Sequence, residues 1–141
     1  MVKRLLTAAA AYLGAIGVAL LVVPVQFGVD AVPSDPSPEL VSLLRLLGGP
    51  FLGIAVLNWV SRTAHKPDAL RPVLLANLVG FGFVAANDIV GVLTGDARDL
   101  ARIFLVVHLS FTAGFAVALV RGTSPSPSPG GGDDPGVPRV G

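Results

Sequence analysis

Four apolar runs divide the 141-residue chain, and two of them are too short to cross a bilayer unless each takes in a charged residue. The second lies between Arg45 and Arg62 and the third between Arg71 and Asp88, each with 16 uncharged residues. At about 1.5 Å of rise per residue, such a run covers about 24 Å, against a hydrocarbon core of about 30 Å. Arg45 and Asp88 are therefore expected in or near the membrane.

Composition supports that class. Hydrophobic residues make up 52% of the chain and charged ones 13%, about half the charged share of a soluble domain. The expected fold class is all-α, a polytopic membrane four-helix bundle in one domain over 1–121, with helices at about 5–25, 40–60, 69–93 and 101–120. Residues 122–141, rich in Gly, Pro and Ser, are expected to form a disordered cytoplasmic tail. The first run, preceded by Lys3 and Arg4, is longer than a signal-peptide core and is read as a retained helix rather than a cleaved leader.

Local signals place the helix ends. Ser37 can cap the second helix, with Pro38 in its first turn and Glu39 at the positive end of its dipole, and Asp68 is a candidate cap for the third. Pro50, beside Gly48 and Gly49, removes a backbone donor and is expected to kink the second helix.

Seven of the ten basic residues (Lys3, Arg4, Arg62, Lys66, Arg71, Arg121 and Arg139) fall on one side of a four-span topology. Arg45, Arg98 and Arg102 fall on the other, together with Asp30, Asp35, Glu39, Asp96 and Asp99. Basic residues concentrate in the cytoplasm, so a multi-pass protein of the cell membrane with both termini cytoplasmic is expected. Arginine outnumbers lysine eight to two, and Ala, Gly and Val are abundant, a bias expected of a GC-rich bacterial genome.

The same inventory excludes chemistry. Without cysteine there are no disulfides, thiolate metal sites or cysteine nucleophiles. A net charge of +1 argues against nucleic acid as a partner. His65 and His108 are assigned to opposite sides and no HxxxH or HExxH spacing occurs, so no metal site is expected. No serine elbow, phosphate loop or paired intramembrane carboxylate is present, so neither an enzymatic activity nor a cofactor is expected.

Small residues four apart mark candidate helix contacts: Ala10 and Gly14, Gly49 and Gly53, Ala76 and Gly80, Gly82 and Ala86, and Ser110, Gly114 and Ala118. Partners are expected in the lipid bilayer itself and in a second copy or another membrane protein. Trp59 suits the headgroup belt, Asn58 beside it reads as a capping or interfacial residue, and the hydroxyl of Tyr12, mid-helix, needs a partner.

Polar residues at depth are the candidate ligand or proton-pathway residues: Arg45, Asp88, His108, Asn77 and Asn87. Arg45 and Asp88 share a depth of roughly 7 Å and can pair, at about 1.5 Å per residue. His108 lies deeper, either as a relay or ligand contact near Asp88 or as a neutral imidazole hydrogen-bonded across the bundle. Asn77 and Asp88, 11 residues apart, share a helix face with Phe81 and Val84, while Asn87 points about 100° away.

The run Arg45-Leu46-Leu47-Gly48-Gly49-Pro50-Phe51-Leu52-Gly53, followed by Leu57-Asn58-Trp59 and Arg62, resembles a helix of small four-helix bacterial membrane proteins similar to the DoxX-like group. That resemblance implies a quinone-linked or redox accessory role, which the absence of cysteine sets in doubt for the chain itself. Two functions follow as expectations. The first is a structural or accessory helix-packing protein; the alternative is a proton-coupled transporter or small-ligand-binding protein with a polar pocket in its outer half.

Overall fold

Residues 1–64, 66–98 and 100–122 are described by a computed structural model. The expected tail from 123 onward, His65 and Asp99 lie outside the described residues. Those described form helices and loops without strands: α1 (Val2–Val22), α2 (Pro24–Phe27), α3 (Pro38–Ser61), α4 (Pro67–Thr94) and α5 (Ala101–Gly122).

Four of these helices, all but the single turn α2, are long and apolar enough to cross a membrane, with mean hydropathies of 2.2, 2.0, 1.8 and 2.3 in chain order. The constraint set by the short uncharged runs is met as expected. Arg45 lies inside the 24-residue α3 and Asp88 inside the 28-residue α4, so the two helices reach about 36 and 42 Å. Large apolar side chains such as Leu46, Val60, Phe83, Leu93 and Ile103 are exposed along the outer faces, as a lipid solvent requires and water does not tolerate at this density.

The helix ends follow from local chemistry. Val23 leaves the helical region because Pro24 disfavours it there, so α1 stops and α2 restarts with proline in its first turn. The Ser37 hydroxyl accepts from the Leu40 amide at 3.3 Å, capping α3 as its sequence suggests. Asp68 lies in the first turn of α4 but Lys66 holds the cap position. Gly95, at φ 77°, closes α4 in the left-handed conformation that glycine adopts without strain. The helix of α3 continues through Pro50.

The helices form two tight pairs, α1 on α3 and α4 on α5, which meet each other more loosely along α1/α5 and α3/α4. The α1/α3 pair closes on two glycines. A Cβ on Gly48 would sit 2.8 Å from the Gly17 carbonyl oxygen, and one on Gly17 would sit 3.0 Å from that of Gly48, so the backbones touch. Of the expected small-residue contacts, Gly14 packs on Ala55, Gly82 on Thr112 and Gly114 on Leu5, whereas Gly49, Gly53 and Gly80 have nothing within 4 Å. The pair that matters most, Gly17 with Gly48, lies on different helices and has no spacing to reveal it.

Beneath the looser junction, Leu6, Ala9, Phe115 and Ala118 fill a core near the end of the bundle where the Arg121 guanidinium meets the Met1 sulfur at 3.5 Å. That end also carries Trp59, half exposed, with the Arg62 guanidinium 3.3 Å above its ring and a further bond from Arg62 to the Trp59 carbonyl.

Candidate functional site

Where the two helix pairs diverge, a cavity of about 660 Å³ opens between them. Its wall takes Tyr12, Leu13 and Ile16 from α1, Phe51 and Ile54 from α3, a face of α4 from Ala76 to Asp88, and Phe104 and His108 from α5. Five of the seven phenylalanines and the single tyrosine line it. The volume and the predominance of apolar lining with a few convergent polar groups are those of a small-molecule site.

The polar groups form a chain. Asp88 lies six residues before the end of α4 and His108 seven after the start of α5, so both are about 10 Å from the same end of the bundle. Asp88 Oδ2 stands 2.6 Å from His108 Nδ1, and the Tyr12 hydroxyl 2.7 Å from His108 Nε2. An ionised carboxylate only accepts, so Nδ1 carries the imidazole proton and donates it, leaving Nε2 to accept from the Tyr12 O–H. Three helices thus contribute one group each. The imidazole is held further by Phe104, stacked at 6.1 Å, and by Tyr12 edge-on at 5.7 Å.

A second polar pair joins α3 to α4. Asn58 Nδ2 donates to Asn77 Oδ1 at 2.9 Å and Asn77 Nδ2 donates to Asn58 Oδ1 at 2.7 Å and to the Val73 carbonyl at 2.8 Å. Asn58 is fully buried and Asn77 nearly so. The capping or interfacial role expected for Asn58 is thus replaced by a buried amide pair. Counting residues from the loop misjudges its depth because α4 spends its first turns on Pro67, Asp68 and Arg71, all exposed.

Arg98 closes the cavity at the far end. Its Nη1 donates to the carbonyls of Phe27 and Val29 at 2.8 and 2.9 Å, and its guanidinium lies 5.8 Å from the Phe27 ring and 5.5 Å from that of Phe104. The turn between α4 and α5 is thereby tied to the segment after α2.

The structure therefore brings together Asp88, His108 and Asn77 of the candidate residues, and leaves Arg45 and Asn87 out. Arg45 is exposed, and among the described residues the one ion pair is His108 with Asp88. The expected Arg45–Asp88 pair is absent because depth alone does not make a contact. Arg45 is nine residues from cavity-lining Ile54, and nine steps of about 100° place it on the opposite side of α3. Asn87 is likewise exposed, one step away from the Asp88 face.

Tyr12, Arg98 and Asn58 were not legible as site residues. Only Tyr12 carried a signal, a hydroxyl in mid-membrane with no local partner. Among the described residues no three His, Asp or Glu side chains gather as a metal ligand set. Neither a protein-family model nor a curated protein nor a solved structure matches this chain.

Proposed function

We propose that this multi-pass membrane protein, oriented with both termini in the cytoplasm of a bacterial cell, binds a small lipid-soluble molecule in the cavity between its helix pairs. The observation that carries the reading is the Tyr12–His108–Asp88 chain on the wall of an apolar, aromatic-lined cavity rather than inside a filled core. Intramembrane ionisable groups are costly and are retained chiefly for function.

Ligand binding is favoured over transport because the polar path stops. Beyond Tyr12 the bundle is filled by Leu6, Ala9, Leu74 and Phe115, all buried, and the Asn58–Asn77 pair is satisfied within itself. It is favoured over pure scaffolding because scaffolding gives no reason for a cavity of this size beside a partly buried carboxylate. The basic asymmetry of the loops supports the orientation.

A phenyl-diazirine photoprobe tests the reading in nanodiscs. Saturable labelling of Tyr12, Leu13 or Phe104 is expected, and Gly80→Trp, at a cavity-lining position with nothing within 4 Å, should fill the mouth and suppress it. Labelling that rises linearly with probe and ignores Gly80→Trp would refute it.

A further inference from the structure

The hydrogen-bonding capacity left over at this site specifies the chemistry of what it can hold. Every donor on the polar wall other than Arg98 is already committed. The Tyr12 hydroxyl donates to His108, the His108 imidazole to Asp88, and the Asn77 amide to Asn58 and Val73. Acceptor capacity remains. The second carboxylate oxygen of Asp88 takes no hydrogen bond from the described residues, and the Tyr12 oxygen accepts none. The Asp88 side chain is 14% exposed and lines the cavity, so that oxygen is reachable from inside it. A ligand that bonds to Asp88 or Tyr12 must therefore donate.

The mouth says how the ligand arrives. α3 and α4 meet at few places, and the lining residues between them that are exposed on the outer surface are Ile54, Ala76, Val79, Gly80, Phe83 and Val84. None carries a polar side chain, and all lie within membrane-spanning helices. A molecule passing here comes from the hydrocarbon, where an ammonium group pays a large desolvation cost and a neutral hydroxyl a small one. Arg98 already supplies a cation to the same cavity, which further disfavours a cationic guest.

From these two observations, and resting on the ligand-binding reading above, we infer that the cavity takes a neutral, ring-bearing alcohol or phenol from the lipid phase, its hydroxyl donating to the second oxygen of Asp88. The aromatic wall supplies the ring contacts: Phe81 and Phe104 pack on His108, and Phe51 and Phe83 line the same cavity from α3 and α4. The Tyr12–His108 chain keeps the carboxylate oriented while the ligand binds.

The experiment is competition against the diazirine probe by 1-naphthol, by its methyl ether 1-methoxynaphthalene, and by 1-naphthylmethylamine. A hydrogen bond donated to a carboxylate makes 1-naphthol about tenfold or more the better competitor over the ether. In Asp88→Asn the amide can accept from His108 and turn its NH₂ to the cavity, so the preference for the hydroxyl should collapse. Infrared difference spectra of the unmutated protein give a second readout that does not depend on the variant folding, with a carboxylate-stretch change expected for 1-naphthol and none for the ether. Equal competition by naphthol and ether, or stronger competition by the amine, overturns the inference while leaving the cavity reading intact. Absence of saturable probe labelling defeats the cavity reading itself.

Discussion

Replacing Asn58 with leucine isolates the buried side-chain link between α3 and α4 seen among the described residues. The change removes two reciprocal hydrogen bonds, at 2.9 and 2.7 Å, and strands the Asn77 carbonyl oxygen; the Asn77 amide keeps Val73. Interhelical hydrogen bonds in membranes average about 0.6 kcal/mol with a maximum near 1.7, so two of them set a loss of about 1 to 3 kcal/mol. Asn58→Leu/Asn77→Leu removes both partners, and replacing both ends of a buried pair by apolar groups is far cheaper than orphaning one. The double variant should therefore recover at least half of the loss, a coupling a double-mutant cycle measures directly. Trp59, the sole tryptophan and the next residue in α3, reports unfolding by fluorescence in mixed detergent micelles. Additive losses, or a single variant indistinguishable from the parent, would refute the claim that this pair fastens the two helix pairs together.

Two further outcomes separate contacts from coincidence. Gly48→Val should lower stability by about 1 to 3 kcal/mol, the range for overpacking, because any Cβ there meets the Gly17 carbonyl and Leu21; Gly53→Ala, with open space around it, should cost nothing, and thermal unfolding of the two compares them directly. Arg98→Gln should speed amide hydrogen exchange across residues 28–32 while leaving the core of α1 unchanged, since its guanidinium holds the Phe27 and Val29 carbonyls.

Much of the fold was open to reading along the chain because membrane spans are set by length and hydropathy, both of which are local sums. The four spanning helices fall close to where the apolar runs lie, and the Ser37 cap follows from residue type. The turn at Pro24 that splits the first expected helix is also local, a consequence of proline's restriction of Val23.

The site was only half open. Asp88 and Asn77 share a face by helical period, but His108, expected deeper than Asp88, lies at the same depth, because α4 runs six residues past Asp88 and α5 starts seven before His108. What periodicity does not supply is the azimuth of one helix relative to another. That angle turns Arg45 and Asn87 outward, sends Tyr12 to His108, and buries Asn58 against Asn77.

By itself, then, the sequence determined that this chain is a bundle of four membrane-crossing helices with ionisable groups drawn into the bilayer, because burying backbone polar groups in lipid leaves a long apolar stretch no alternative to a helix. The tertiary structure alone decided which of those groups meet. Helix packing in lipid is driven by close backbone contact, here Gly17 against Gly48, and that contact sets the rotations from which the cavity and its Tyr12–His108–Asp88 wall follow.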